Sequence, residues 1–117
     1  MKVTVDRTKW LRGHGSEVSR LCTIDGKMCC LGFWALAKGF TKEQITNRST
    51  PEELAEEHTL AQVEELVEGG KYRLFVNKSV TEMLMRTNDE IQLSEETREA
   101  ILIKDGPNAG IEFEFIN

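Results

Sequence analysis

Residues 26–39, Gly-Lys-Met-Cys-Cys-Leu-Gly-Phe-Trp-Ala-Leu-Ala-Lys-Gly, form the longest run in the chain with almost no polar interruption. A segment that apolar must be covered by the rest of the molecule, which makes it the predicted buried centre. Asp25-Gly26 reads as a two-residue turn joining strands at 21–24 and 27–30, and a helix over 31–38 follows until Gly39 stops it. In that hairpin Ile24 faces Lys27, Cys22 faces Cys29 and Leu21 faces Cys30. The two facing cysteines fall at a hydrogen-bonded position, where the Cα atoms stand farther apart than at the neighbouring one. A cross-strand disulfide is therefore admitted but not favoured. Three cysteines, two of them adjacent, do not make a disulfide framework, and free thiols are expected.

The flanking chain supplies elements to cover this centre. Residues 2–5 read as a strand with Val3 and Val5 on one face, and residues 6–20 as a long loop carrying Trp10, Leu11, Gly13 and Gly15. Thr41-Lys42-Glu43-Gln44 has the spacing of a capping box and predicts a short helix to Ile45 or Thr46. Thr50-Pro51-Glu52-Glu53 starts another, with an apolar stripe at Leu54, Leu60, Val63, Leu66 and Val67 before Gly69-Gly70 ends it. A short strand is predicted over 72–76. Ser79-Val80-Thr81-Glu82 opens a helix through Met85 to about Arg86, with Asn88-Asp89 as its exit. Ser94 caps the last helix, whose Glu95 and Glu96 suit its N-terminal dipole and whose Ala100, Ile101 and Ile103 are expected near the core. Ile111, Phe113 and Phe115 alternate with Glu112 and Glu114, the pattern of a strand with one buried face. The predicted class is α+β in one domain spanning residues 1–117. It comprises a small, mainly antiparallel sheet from both termini and the central hairpin, packed on the apolar helix and several short capped helices.

Composition sets outer limits. With 117 residues, 39% apolar and 30% charged, the chain is large enough for a core without staples and too apolar for disorder. No apolar run reaches the roughly 20 residues of a membrane span, and the strand-like start at Met1-Lys2-Val3-Thr4 differs from a signal peptide, so the cytoplasm is the expected compartment. The net charge of −5 is unevenly spread: residues 1–48 hold nine Lys/Arg against four Asp/Glu, residues 49–70 hold seven Glu and no Lys/Arg, and residues 71–117 hold six against nine. An acidic whole argues against non-specific nucleic-acid binding, while the first third can present a local basic face.

Two parts of the chain resemble a known family. Arg7-Thr8-Lys9-Trp10-Leu11-Arg12-Gly13, then Gly26-Lys27-Met28-Cys29-Cys30-Leu31-Gly32-Phe33 with Leu36-Ala37 and Gly39, is similar to a family of small phage and prophage proteins of unassigned function. Asn88-Asp89, Leu93-Ser94, Arg98-Glu99 and Gly110-Ile111-Glu112-Phe113-Glu114-Phe115 resemble that family's closing pattern. The resemblance covers roughly residues 3–39 and 88–117. It implies a viral origin, an accessory role in the host cytoplasm and no reaction.

Several site chemistries follow from the residues. A cysteine at a helix N-terminus has a depressed pKa, so Cys29 or Cys30 with His14 or His58 as base outlines a nucleophile. Against it, free cysteine is among the most buried residue types and neither histidine has an orienting partner. Adjacent cysteines also lack the spacing of zinc ligands. The loop from Arg7 to Ser16 is the better candidate: Arg7, Lys9, Trp10, Arg12 and His14 combine cations, an aromatic plane and glycine-permitted backbone approach to an anion. It lacks both the third glycine of a dinucleotide fingerprint and the Gly-Lys-Ser/Thr ending of a P-loop. Its competing reading is structural, with Trp10 and Leu11 plugging a sheet edge and the cations solvated or paired with Asp6 and the acidic helices. The third candidate is acidic: Glu52, Glu53, Glu56 and Glu57 on a helix can imitate nucleic-acid phosphates toward a basic protein, although a charge run is ordinarily a solvated face. The expectation is a non-catalytic phage accessory protein, with no cofactor, that binds a host protein or a phosphorylated small molecule to blunt a host defence or redirect host metabolism. A cysteine enzyme using Cys30 and an acidic mimic are the alternatives, and a homo-oligomer is compatible with each.

Overall fold

The computed structural model describes residues 1–13, 20–50 and 78–117. Over these the order is β1 (Lys2–Asp6), α1 (Cys30–Ala37), α2 (Lys42–Ile45), α3 (Lys78–Asp89), α4 (Glu95–Asp105), a 3₁₀ turn (Gly106–Ala109) and β2 (Glu112–Ile116). The α+β class holds. The predicted helix from Thr50, the strand at 72–76, His14, His58 and the glutamates Glu52, Glu53, Glu56 and Glu57 lie outside the described residues.

The first and last strands pair, but in parallel, from Lys2 opposite Glu112 to Asp6 opposite Ile116. This corrects the expected antiparallel sheet. Val3, Val5 and Phe113 are buried, while Lys2, Thr4, Glu112 and Glu114 face solvent. The same period-two pattern serves either orientation, so the alternation could not decide it.

The central hairpin is also corrected. Thr23 N donates to Lys27 O at 2.7 Å and Gly26 N to Thr23 O at 2.9 Å, so Thr23, not Ile24, faces Lys27. Ile24-Asp25-Gly26 is a three-residue tip, with Gly26 at φ +88° and Ile24 exposed. The Thr23 hydroxyl holds the tip by bonding Asp25 and accepting from Lys27 N at 3.1 Å. No two-stranded ladder grows from it among the described residues. Cys22 instead bridges Thr46 in parallel and Trp10 bridges Met28, while Cys29 N reaches Arg20 O at 3.1 Å. All three cysteines are free and buried.

Helix α1 carries the predicted apolar centre, buried from Cys30 through Ala35. Gly32 is required within it by the crossing of the preceding segment: a Cβ there would stand 1.8 Å from Leu21 O and 2.9 Å from Met28 Cβ. Around α1 the core gathers Val3, Val5, Leu21, Ile45, Leu84, Leu102 and Ile111, each at most 1% exposed. Full burial of such side chains is worth roughly 1.5–3 kcal/mol apiece before entropy is subtracted. The Thr41 capping box and the Ser94 cap form as read. Helix α3, in contrast, already contains Ser79 and continues through Asn88 and Asp89. In α4 the buried positions are Arg98 and Leu102; Ala100 and Ile103 are exposed and Ile101 is half-buried. Among the described residues no helix is long and apolar enough to cross a membrane.

Candidate functional site

The basic loop leaves β1 at Asp6, whose carboxylate accepts from Thr8 N at 3.0 Å and from the Thr8 hydroxyl at 2.7 Å to start the turn. These two bonds hold the Asp6 carboxyl below its ordinary pKa. Beyond the turn, Met28 N donates to Lys9 O and Leu11 N to Met28 O, which fixes the loop alongside residues 27–29.

The anchor is Trp10, 3% exposed, whose indole N–H donates to Asn88 Oδ1 at 2.8 Å. That same oxygen accepts from Cys30 N at 3.1 Å, satisfying one of the free amides at the start of α1. Asn88 Nδ2 donates to Leu11 O at 2.9 Å and to Asp89 Oδ1 at 3.0 Å. Its backbone carbonyl accepts from Gly13 N at 2.9 Å. One fully buried amide thus joins the loop, α1 and α3. Its partners Trp10 and Leu11 are more than seventy positions away in sequence, which is why reading Asn88-Asp89 as a helix exit missed it; a buried indole N–H in need of an acceptor is the signal that could have found it.

The loop's two arginines turn inward to α4. Arg7 forks onto Glu99, with Nε to Oε2 at 2.8 Å and Nη2 to Oε1 at 2.7 Å, and lies 5.9 Å from the centre of the Phe115 ring. Arg12 forks onto Glu95 at 2.8 and 2.7 Å, gives Nη1 to the Arg7 and Trp10 carbonyls, and stacks 4.7 Å from the Trp10 ring. Four of its five N–H groups are thereby used. The Arg12 hydrogen bonds hold the Glu95 carboxyl below the usual glutamate range. Arg98, buried in α4, donates to the carbonyls of Thr87, Glu90 and Leu93 and closes the connection between α3 and α4.

Lys9 behaves differently. It is exposed, and the parallel bridge of Trp10 to Met28 gives it the register position beside Lys27, which is exposed too. Next to this pair a surface cleft of about 450 Å³ is lined by Trp10, Leu11, Arg12, Thr23, Asp25 and Lys27. Of the five loop residues named from sequence, the cleft therefore takes Trp10 and Arg12. Lys9 sits one register position away, Arg7 faces Glu99, and His14 lies outside the described residues. Thr23, Asp25 and Lys27 were missed because a turn tip carries no binding signature in sequence.

The thiols are placed as the bland reading had them. Burial pushes the Cys29 thiol up to about 12 and the Cys30 thiol well above its ordinary value, outweighing the helix amides that would lower them. The depressed thiol pKa that a helix N-terminus suggests is corrected accordingly. Among the described residues no three His, Cys, Asp or Glu side chains gather as metal ligands would. Protein-family models, curated proteins and solved structures give no match to the chain.

Proposed function

We propose that the chain is a non-catalytic binding protein whose ligand is a small phosphorylated molecule, held in the cleft between the basic loop and the Thr23–Lys27 turn. The observation that carries this reading is the pairing of Lys9 with Lys27 at one register position beside that cleft. Both lysines are exposed and share that register position, so one phosphate can reach and offset both charges. Asp25 in the same lining suits a ligand that also brings hydroxyl donors, so nucleotides and sugar phosphates are the fitting class. Arg12 retains one N–H toward such a ligand, and Trp10 provides the apolar wall. Raised thiol pKa values and full burial of Cys29 and Cys30 favour binding over nucleophilic chemistry. On the resemblance to small phage proteins, the setting is the host cytoplasm and the role an accessory one, sequestering or sensing a host metabolite.

A thermal-shift screen against nucleotides and cyclic nucleotides tests it. The melting temperature rises for at least one phosphorylated compound and not for its unphosphorylated counterpart, and the rise disappears in Lys9→Glu/Lys27→Glu. No rise across the screen, or an equal rise in the double variant, rejects the site.

A further inference from the structure

Among the described residues the backbone of β1 pairs along one edge with β2 and along the other with no strand. Glu112 N donates to Met1 O and Arg7 N to Ile116 O, which with the observed register directs the amides and carbonyls of Val3 and Val5 toward β2. Those of Lys2, Thr4 and Asp6 consequently point the opposite way. Among the described residues the only backbone bond to this outer edge is Lys9 N to Asp6 O at 3.0 Å. Lys2 and Thr4 are exposed, and no other described strand lies on this edge. On the far side of the sheet Phe113 and Phe115 point their backbone groups outward in the same way.

The two edges differ in what they can accept. If β1 meets a second β1 in antiparallel orientation about a two-fold axis at Thr4, Lys2 falls opposite Asp6, Thr4 opposite Thr4 and Val3 opposite Val5. The residues with outward backbone groups become the hydrogen-bonded pairs, and both charged pairs are of opposite sign. The Asp6 side chain is compatible with this role, because its bonds to Thr8 and Asn117 all use Oδ1 and leave Oδ2 for the lysine. The lysine's present contact is a 3.5 Å pair with Glu114 in which both side chains are about half exposed, and such a pair is readily exchanged. The equivalent operation on β2, centred on Glu114 or on Phe113, sets glutamate opposite glutamate. Like charges oppose pairing of that edge in those two registers.

We infer that the outer edge of β1 is a self-complementary interface, and that two copies of this chain join there into a four-stranded sheet ordered β2-β1-β1-β2. Val3 and Val5 of each copy then continue one buried face across the two-fold axis. A strand pair of five residues buries less than a standard interface, so the dimer forms with rising concentration instead of being permanent.

Sedimentation velocity over a concentration series, combined with amide hydrogen exchange, tests the proposal. The wild type shifts from monomer to dimer as concentration rises, and the Thr4 amide slows in step while the Phe115 amide does not. Thr4→Pro removes an outward N–H without touching the β1–β2 ladder, and it stays monomeric with its fold intact. A charge swap serves as a second variant set. Lys2→Glu and Asp6→Lys each fail to self-associate, because each sets like charges opposite, yet an equimolar mixture of the two dimerises. A wild type that is monomeric throughout overturns the interface. So does a dimer whose Thr4 amide exchanges at the monomer's rate, or a mixture that associates no better than its components.

Discussion

The loop between β1 and the turn at Gly26 carries two kinds of cation, and their fates are opposite. Arg7 and Arg12 each fork onto a glutamate of α4 at 2.7 and 2.8 Å, whereas Lys9 and Lys27, its neighbour across the Trp10–Met28 bridge, stand exposed. Guanidinium geometry explains the division. A planar fork matches a carboxylate bidentately and tolerates partial burial, while an ammonium is a compact, strongly hydrated charge that remains in water until a ligand displaces that water. The two arginines tie the loop to the fold, and the two lysines stay in solvent. A basic run in sequence thus divides into a carboxylate-paired half and an exposed half that the count of positive charges cannot distinguish.

The division depends first on the loop being held at all, so its largest test is Asn88. Asn88→Leu strips the acceptor from the Trp10 indole and the Cys30 amide and the donor from Leu11 O, leaving two buried donors and a part-buried carbonyl unpaired. The expected loss is about 3 kcal/mol or more, read as a lower urea midpoint at unchanged slope. A loss under about 1 kcal/mol, the worth of a single ordinary hydrogen bond, would show that the amide is not the joint described above.

Arg7→Ala comes next. Glu99 keeps its charge, loses its fork and is only 14% exposed in its side chain, so a loss of about 1–2 kcal/mol is expected. Acid stability gives a smaller signal from Arg12. The Glu95 pKa is depressed in the folded state, so its contribution is complete above the ordinary glutamate value of about 4.3 and is lost as pH falls through the lower folded value. Arg12→Ala flattens that part of the stability curve below about pH 4.3, while Asp6 and Asp25, also depressed by their threonine partners, keep the remainder. Proton uptake on unfolding, followed from pH 7 downward, checks the sign.

Much of this architecture was legible because local signals decide it. The unbroken apolarity of residues 28–37 requires burial, Thr41 and Ser94 cap helices through contacts three residues away, and Val3, Val5, Ile111 and Phe113 alternate as a one-faced sheet must. Other features depend on partners far along the chain. Alternation is the same in parallel and antiparallel pairs, so the direction of β1 against β2 was hidden. In α4, counting apolar residues selected Ile103, yet the face turned inward is that of Arg98 and Leu102. The Arg98 side chain is drawn in by three carbonyls of the α3–α4 connection. The Gly26 turn shifted by one residue because the Thr23 hydroxyl, absent from a count of backbone pairs, closes it around three residues. At the candidate site the loop was legible as basic and aromatic, but its split was not, since Glu95 and Glu99 lie more than eighty positions beyond the arginines they hold.

The contrast between arginine and lysine is tested most directly by crossing the two losses in one instrument. Melting temperature is measured with and without the phosphorylated compound that gives the largest shift, for wild type, Arg7→Ala and Lys9→Glu/Lys27→Glu. Arg7→Ala melts lower than wild type and retains the ligand-induced rise. The lysine double variant melts within the roughly 0.5 kcal/mol equivalent expected of surface changes and loses the rise. The reverse pattern, with the rise lost in Arg7→Ala and kept in the lysine variant, would contradict the assignment of binding to the outward cations.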